Sequence, residues 1–426
     1  MSLARGPVER CLPSLRPERR DKWGLGETMS HRRANWGRAT SAWTIGLVTA
    51  VVVAGCGPPP APPSPDGTIV RVSHAQGGEG GGQSFGPTTS GDGGRVAFES
   101  TAWDLVPGDP NAYLDVYVWD RASSVIERIT GGNNESASPS ISADGRSVAF
   151  TSTASDLAPD DRNRQGDVFL WDAATGTTTR ITDGDSASGQ PAMSADGGHV
   201  AFDSFASNLA PGDTDFTNDV FVWDRATGTT MRIPGGEEGN SRPSISADGR
   251  YVVFESWVSK PVAGATGVWD LYMWDRTTGA TTRITDGNGG SHGPVVSADG
   301  GVVAFSSAAS NLVPGDTNDG ADVFLWEAAA GTTRRISDGN GHSSSPSISA
   351  TGDAVAFSSW VSDGLVDVYL WDAATGITRI TDGNDNSYGP AISADGDAIT
   401  FASWASNLVP DDSNRAEDIF AWYRSE

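Results

Sequence analysis

A short phrase of sequence recurs seven times along this chain of 426 residues. Each copy begins with a turn of the type Ser-Ala-Asp-Gly and continues as a strand of the type Val-Ala-Phe-x-Ser. The third position of the turn falls at Asp92, Asp144, Asp196, Asp248, Asp299, Thr351 and Asp395, in steps of 44 to 52 residues. A fixed period of about this length, made of strands and turns, is typical of a propeller in which each repeat is one blade. The sequence therefore predicts an all-β propeller with seven blades.

The second copy shows how one repeat becomes one blade. Residues 139–142 read as a short inner strand, and the Asp144-Gly145 turn leads into a second strand at 147–152. A long loop then precedes a third strand at 167–171 and an outer strand at 177–182. The β-branched and aromatic residues of these segments suit a pleated sheet, and no segment keeps a helical period of apolar residues. We expect four strands in every blade.

The last copy is incomplete, because only four residues follow its third strand at 419–422. Each complete outer strand carries one arginine followed by an aliphatic residue. These arginines are Arg128, Arg180, Arg232, Arg283, Arg335 and Arg379. Residues 68–73 place Arg71 in the same context near the other end of the chain. The N-terminal strand should therefore complete the C-terminal blade and close the ring, which removes exposed sheet edges.

The repeat resembles that of TolB-type propellers, which is a WD40-like repeat. The resemblance rests on S-A-D-G-x-x-V-A-F-x-S, D-V-F-x-W-D and T-G-x-T-x-R-I-T, and it covers residues 67–426. This chain has Ala where that family commonly has Pro before Asp-Gly, and it has seven repeats where TolB has six. The resemblance implies an extracytoplasmic propeller that acts as a scaffold for a protein or peptide partner.

The N-terminal part resembles the leader of a bacterial lipoprotein. Residues 1–55 comprise an upstream segment and a signal peptide, with Met29 as the expected true start and an apolar stretch too short to span a membrane. Val53-Ala54-Gly55-Cys56 resembles a lipobox, in which Cys56 would be lipidated. Residues 56–66 form the Pro-rich linker to the propeller at 67–426. We expect a lipid-anchored, extracytoplasmic protein; the alternative is an ordinary secretory signal with an incidental cysteine.

The charge of the chain excludes one class of partner. After residue 55 the chain has 20 Lys and Arg against 50 Asp and Glu, a net charge of −30. Binding of nucleic acid depends on the opposite sign, so we expect no nucleic-acid partner. The outer-strand arginines are expected to pair with acids at the ends of the third strands, namely Asp120, Asp172, Asp224, Asp275, Glu327 and Asp372.

The order of strands also predicts where a ligand binds. The tight turns between the first and second strands and between the third and fourth strands should share one face. The long connections should lie on the opposite face, and variable loops on a rigid scaffold are where binding usually resides. We expect a protein or peptide partner at that face, and a monomer.

An acidic pattern in these loops is compatible with Ca²⁺, which prefers six to eight oxygen ligands. Asp-x-Asn/Asp is followed four residues on by Asp. The sets are Asp109/Asn111/Asp115, Asp161/Asn163/Asp167, Asp213/Asp215/Asp219, Asp316/Asn318/Asp322 and Asp412/Asn414/Asp418. Because Asp and Asn also bond their own backbone in turns, the alternative is a set of structural turn residues without metal.

An aromatic series follows the second strand in four of the blades, at Phe205, Trp257, Trp360 and Trp404. On one side of a ring these residues could stack against a sugar or a peptide. The alternative is that they cover the ends of the blade cores. The tryptophans of the third strands occur in every blade and are expected to be packing residues.

Catalytic signals are weak. Gly289-Gly290-Ser291-His292-Gly293 matches G-x-S-x-G but does not lie between a strand and a helix, and the histidines are scattered. We predict no cofactor other than Ca²⁺ and no catalytic residue. The predicted function is a membrane-anchored scaffold that binds a protein or peptide. The alternatives are a carbohydrate or cell-wall binding module that uses the aromatic series, and a propeller enzyme of the hydrolase or lyase type.

Overall fold

The strands of the chain form a ring of antiparallel sheets. The computed structural model describes residues 67–75, 78–79, 81–109, 113–159, 163–214, 216–236, 238–258, 267–318, 320–337, 341–360, 364–410 and 412–425. Within these residues the strands form seven four-stranded sheets and one two-stranded ribbon. The predicted all-β propeller with seven blades is confirmed. The predicted signal peptide, Cys56 and the linker lie outside the described residues.

Each blade runs from a first strand at the centre to a fourth strand at the outside. The first strands are β4 (Ser84–Thr89), β8 (Ser136–Ile141), β12 (Ser188–Met193), β16 (Glu238–Ile245), β20 (Ser291–Val296), β24 (Ser343–Ile348) and β28 (Ser387–Ile392). The second strands are β5 (Arg95–Ser100), β9 (Ser147–Ser152), β13 (His199–Ser204), β17 (Tyr251–Val258), β21 (Val302–Ser307), β25 (Ala354–Trp360) and β29 (Ala398–Ser403).

The outer two strands complete each sheet. The third strands are β6 (Asp115–Asp120), β10 (Asp167–Asp172), β14 (Asp219–Asp224), β18 (Val268–Asp275), β22 (Asp322–Glu327), β26 (Val366–Asp372) and β30 (Asp418–Arg424). The fourth strands are β7 (Val125–Arg128), β11 (Thr177–Arg180), β15 (Thr229–Arg232), β19 (Ala280–Arg283), β23 (Thr332–Arg335), β27 (Gly376–Arg379) and β1 (Gly67–Arg71). The ribbon comprises β2 (His74–Ala75) and β3 (Gly78–Glu79). Among the described residues no helix has the length and apolar character needed to cross a membrane.

The ring closes through the N-terminal strand. Strand β1 pairs antiparallel with β30, and Arg71 lies opposite Phe420. The Val72 N–H continues the ladder by donating to the Ile419 carbonyl at 2.7 Å. The predicted completion of the C-terminal blade by an N-terminal strand is therefore confirmed.

An aromatic pair forms the centre of each blade. A phenylalanine of the second strand lies opposite an aromatic residue of the third strand, as Phe150 lies opposite Phe169. These two rings stack with centroids 5.6 Å apart, and the other blades repeat the arrangement at 5.6 to 6.0 Å. The tryptophan near the end of every third strand is buried, which confirms its predicted role in packing between blades.

The outer-strand arginines pair with a different set of acids from the one predicted. Arg335 Nη1 lies 3.1 Å from Asp322, and Arg128 Nη1 lies 3.4 Å from Asp115. The partners are the acids at or near the start of the third strands, namely Asp115, Asp167, Asp219, Asp270, Asp322, Asp367 and Asp418. The predicted pairing with Asp120, Asp172, Asp224, Asp275, Glu327 and Asp372 is wrong.

The antiparallel register explains this correction. Each arginine ends its strand, so it lies near the beginning of the neighbouring strand, as Arg128 does opposite Tyr117. The acids at the ends of the third strands lie at the opposite face and bond the turn that follows. Asp120, for example, accepts from the Ser123 N–H at 3.0 Å.

Candidate functional site

The two faces of the ring differ in how their backbone is used. We call the face with the short connections the tight-turn face and the other the long-loop face. The short connections are held by hydrogen bonds within their own turns. For example, the Gly93 N–H donates to the Ser90 carbonyl at 3.0 Å, and the Asp92 carboxylate accepts from the Gly94 N–H at 2.9 Å. Loops between the second and third strands, and the connections between blades, lie on the opposite face. The carboxylates of the tight turns are thus engaged by their own turns.

The first strands line a cavity of about 490 Å³ at the centre of the ring. Its wall is made by the same dipeptide in every blade, a residue followed by proline. These dipeptides are 86–87, 138–139, 190–191, 242–243, 293–294, 345–346 and 389–390. In all seven, the residue before proline has φ between +49° and +61°, in the left-handed region. The register of the first strand shifts at this point, as between Ala137 and Ser140, so the dipeptide forms a bulge that faces the cavity.

Neighbouring blades clamp these bulges. In four of the blades, the N–H of the residue before proline donates to the fifth residue of the second strand of the preceding blade. Ser138 donates to Glu99 Oε2 at 2.6 Å, and Arg242 donates to Asp203 Oδ2 at 3.1 Å. Gly293 likewise donates to Glu255 Oε1 at 2.9 Å. We call Glu99, Asp203 and Glu255 the clamp acids; they hold the wall of the cavity to the blade behind it.

Burial changes the protonation of two clamp acids. Burial raises the pKa of Asp203 from its ordinary 3.8 to about 6, and the nearby charge of Glu255 adds to this effect. Hydrogen bonds from the Arg242 N–H and the Asn218 side chain oppose it. Burial also raises the pKa of Glu99. In both cases the loss of water around the carboxylate disfavours its charged form, which is the direction of the shift.

Blades three to five bring acids and bases together beside the cavity. Glu255 is 2% exposed; its Oε2 lies 3.1 Å from His292 Nδ1 and its Oε1 lies 3.6 Å from Arg242 Nη1. The side chains of Arg242 and His292 are themselves 55% and 42% exposed. Sequence reasoning missed this cluster. In the sequence, the cluster is indicated only by an acid within an apolar second strand, as in VAFES, VAFDS and VVFES. The other blades have Thr, Ser or Ala at this position.

The predicted aromatic series lies on the rim above the clamp positions. Side chains alternate along a strand, so Trp257 in β17 faces the same side as Glu255, and Trp360 in β25 faces the same side as Ser358. Phe205 and Trp404 come directly after the ends of β13 and β29. Phe205 and Trp360 are 48% and 55% exposed. Among the described residues no ring contact joins two members of the series, so they lie separately around the rim.

Two members of the series have local partners. Trp257 meets Trp269 edge-on, with centroids 5.4 Å apart. Trp404 Nε1 donates to the Tyr388 hydroxyl at 3.3 Å, and that hydroxyl donates to the Glu417 carboxylate. Burial and this carboxylate raise the pKa of Tyr388 to about 12. A ligand role for Phe205, Trp257, Trp360 and Trp404 stays a prediction.

Arginine side chains contact the acids that were predicted to bind calcium. Asp316 and Asp322 both contact Arg335 Nη1, at 3.0 and 3.1 Å, and Asn318 Nδ2 donates to Asp322 at 3.1 Å. The C-terminal set repeats the geometry, since Asp412 and Asp418 both contact Arg71 and Asn414 Nδ2 donates to Asp418.

The third set is partly described. Asp219 contacts Arg232 at 2.7 Å and Asp213 is buried, whereas Asp215 lies outside the described residues, as do Asn111 and Asp161 of the other sets. In the described part of the chain, no three His, Cys, Asp or Glu side chains group as a metal site requires. Calcium binding stays a prediction, and it requires a higher melting temperature in Ca²⁺ than in chelator.

The residues of the G-x-S-x-G match have structural surroundings. Ser291 is fully buried in the first strand of its blade, and its hydroxyl donates to Ser307 Oγ at 3.1 Å. The same serine pair recurs in other blades, as Ser136 with Ser152. The site that the structure presents is therefore the cavity mouth and its aromatic rim.

No protein-family model and no curated protein matches this sequence. Solved propellers share the fold. The β-propeller domain of the Trilobed protease from Pyrococcus furiosus is 14% identical with a TM-score of 0.58, covering 80% of this chain and 95% of that one. Oligogalacturonate lyase from Vibrio parahaemolyticus is 13% identical with a TM-score of 0.57, covering 84% and 94%.

TolB from Acinetobacter baumannii is 18% identical, covering 71% of this chain and 67% of that one, with a TM-score of 0.44. At these identities the comparisons establish the fold alone, and the last similarity is too low to support an argument. The family resemblance of the repeat therefore remains a resemblance, and function has to be argued from the site.

Proposed function

We propose that the protein is a scaffold whose long-loop face binds a protein or peptide partner. One observation carries this proposal. Among the described residues, the exposed aromatic side chains are Trp103, Tyr113, Phe205, Phe216 and Trp360, between 42% and 66% exposed. All five lie at the long-loop face. Exposed aromatic residues gathered on one face are typical of a binding surface, because they gain most from being covered.

The surrounding scaffold supports this choice of face. The rim stands on a ring of seven sheets in which four of the inner strands are hydrogen-bonded to the preceding blade, so the loops project from a rigid base. A preorganised surface loses less conformational entropy when it binds. The tight turns, by contrast, already use their carboxylates within the turn.

Matched variants test the proposal. Labelled peptides from an arrayed library are titrated against Phe205→Ala/Trp360→Ala and against Val125→Ala/Met231→Ala, by fluorescence anisotropy. Val125 and Met231 are 47% and 43% exposed but lie on fourth strands. We expect the rim pair to weaken binding by roughly tenfold or more, as removal of aromatic hot spots does, and the control pair to leave Kd unchanged. Equal affinities for both variants would refute the proposal.

A second candidate is binding of carbohydrate, and one arrangement favours it. The indole of Trp404, the hydroxyl of Tyr388 and the buried carboxylate of Glu417 form a continuous hydrogen-bonded set at the rim. An aromatic face beside fixed polar groups suits a sugar ring. Oligosaccharide binding that is lost in Trp404→Ala, with peptide affinity unchanged, would favour this candidate.

The proposed location is extracytoplasmic, with a lipid anchor at Cys56. The basis is the lipobox-like Val53-Ala54-Gly55-Cys56 and the Pro-rich segment that follows it. In a bacterial host, the protein should then fractionate with membranes and incorporate a labelled fatty acid. Cys56→Ser should lose both properties, and retention of the label in that variant would contradict the anchor.

A further inference from the structure

We propose that the partner segment bound at the long-loop face is cationic, rich in Arg or Lys. This inference rests on the proposed function of that face and adds the chemistry of the partner. It is argued from charge, from the geometry of the rim and from one intramolecular contact.

Charge is distributed unequally between the two faces. Among the described residues, the connections on the long-loop face contain 14 Asp and Glu against two Lys and Arg. The seven outer-strand arginines are balanced in charge by the seven acids of the third strands, so this excess remains, although several of these arginines also contact a loop acid, as Arg128 contacts Asp109 and Arg335 contacts Asp316. Several of the loop acids, including Asp156, Asp185 and Asp385, are exposed. The face thus presents a negative potential that attracts cations and repels anions.

The rim places an aromatic ring close to an exposed carboxylate. Phe205 is 48% exposed, and its N–H donates to the Ala187 carbonyl at 3.0 Å, two residues after Asp185. The exposed Asp185 carboxylate in turn accepts from the Ser207 N–H at 2.8 Å. This arrangement lets a long basic side chain lay its apolar stem on the ring while its charged head approaches the acid.

An existing contact shows that a guanidinium approaches an acid beside the cavity. The Arg242 side chain, more than half exposed, extends from the cavity wall and brings Nη1 to 3.6 Å from Glu255 Oε1. Glu255 is 2% exposed, contacts His292 and accepts from the Gly293 N–H, so its carboxylate is engaged within the fold. An incoming Arg or Lys would therefore meet the exposed acids of the loops.

Three peptides of equal length test the inference. They alternate Tyr with Arg, with Gln or with Glu, and Kd is measured by anisotropy at low and at physiological ionic strength. We expect the Arg peptide to bind roughly tenfold more tightly than the Gln peptide, the Glu peptide to bind least, and the advantage of Arg to shrink as salt rises.

A pair of charge variants assigns the effect to one face. Asp156→Asn/Asp185→Asn/Asp385→Asn removes three exposed loop acids but keeps a side-chain oxygen that can accept from the backbone N–H groups they bond, those of Asn133, Ser207 and Asn386. Asp144→Asn/Asp248→Asn/Asp299→Asn makes the same change at the tight turns. Only the loop variant should weaken the Arg peptide.

The outcomes separate the two proposals. If the Gln or Glu peptide binds as tightly as the Arg peptide, and the aromatic rim pair still weakens it, the cationic partner is excluded and the binding face stands. Equal loss of the Arg peptide in both charge variants also overturns the inference. If no peptide binds, both proposals fail.

Discussion

At the scale of residues, one position of the repeat has acquired different roles in different blades. The fifth residue of the second strand is an acid in three blades and a hydroxyl residue or alanine in the others. Where it is Glu99, Asp203 or Glu255, it accepts the N–H of a bulged residue in the next blade. The repeat therefore gives all blades the same cavity wall, while the fifth residue of the second strand changes the charge beside that wall from blade to blade.

The buried carboxyl of Asp203 predicts a pH-dependent stability. Its pKa rises on folding from 3.8 to about 6, so its favourable contribution is full below pH 3.8 and is lost as pH rises through about 6. The loss amounts to roughly 2–3 kcal/mol at about 1.4 kcal/mol per pKa unit. Asp203→Asn should therefore gain stability relative to wild type between pH 4 and pH 7, as read from melting temperatures.

Asp275→Asn is the control for this experiment. Hydrogen bonds from Arg250 lower the pKa of Asp275 to about 2, so both of its relevant pKa values lie below that pH range. Its melting temperature should differ from that of wild type by a constant amount. Parallel curves for Asp203→Asn and wild type would contradict the assignment.

Substitution of two adjacent arginines, Arg334 and Arg335, is expected to reduce stability by unequal amounts. Arg335 pairs with Asp322, whose side chain is fully buried, whereas the Arg334 pair with Glu327 is about half exposed on both sides. Arg335→Met would leave a buried carboxylate unpaired and should cost about 3–5 kcal/mol of unfolding free energy. Arg334→Met should cost about 1 kcal/mol or less. Similar denaturation midpoints for the two variants would show that the buried pair is not stabilising.

At the scale of elements, the strand that closes the ring differs from other outer strands only in its place in the chain. Strand β1 completes a sheet whose other strands are at the C-terminal end, so its hydrogen bonds join residues more than 340 apart in sequence. Other outer strands join the same blade through a tight turn. Losing β1 would expose an edge of β30 and open the ring.

A matched pair of proline variants tests this difference. Val70 lies opposite Ala421 in β1, and Thr179 occupies the equivalent place opposite Leu170 in β11. Proline removes a ladder donor at either site. We expect Val70→Pro to lower the melting temperature more than Thr179→Pro does and to promote aggregation. A greater effect of Thr179→Pro would contradict closure by β1 as the weak point of the ring.

Much of the fold could be read from the sequence because each blade repeats the same local signals. Turn residues and alternating apolar strands fixed the number of blades, and the Arg71 context identified the closing strand. The first strand of the second blade begins at Ser136 and not at 139, because its start lies before a bulge at proline. The partners of the arginines were missed because they depend on register across two strands.

The candidate site was less accessible to sequence reasoning. The exposed rim residues Phe205 and Trp360 could be singled out, since they depart from the repeat. Asp203 and Glu255 could not be distinguished from the many surface acids, because their burial depends on the neighbouring blade.

At the scale of the whole molecule, the two faces of the ring have different roles: the tight-turn face stabilises the fold, and the long-loop face is the proposed binding surface. The tight turns carry eight acids and five bases and bond largely to themselves. The long-loop face carries most of the unbalanced negative charge and all the exposed aromatic rings of the described chain. The central claim is therefore that a partner binds at one face of the ring.

Hydrogen–deuterium exchange of the protein with and without the tightest-binding peptide of the series tests that claim most directly. The account predicts slower exchange in the long-loop segments, above all 205–218 and 404–417, with the turns at 142–146, 246–250 and 297–301 unchanged. Protection confined to those turns or to the outer strands would contradict it.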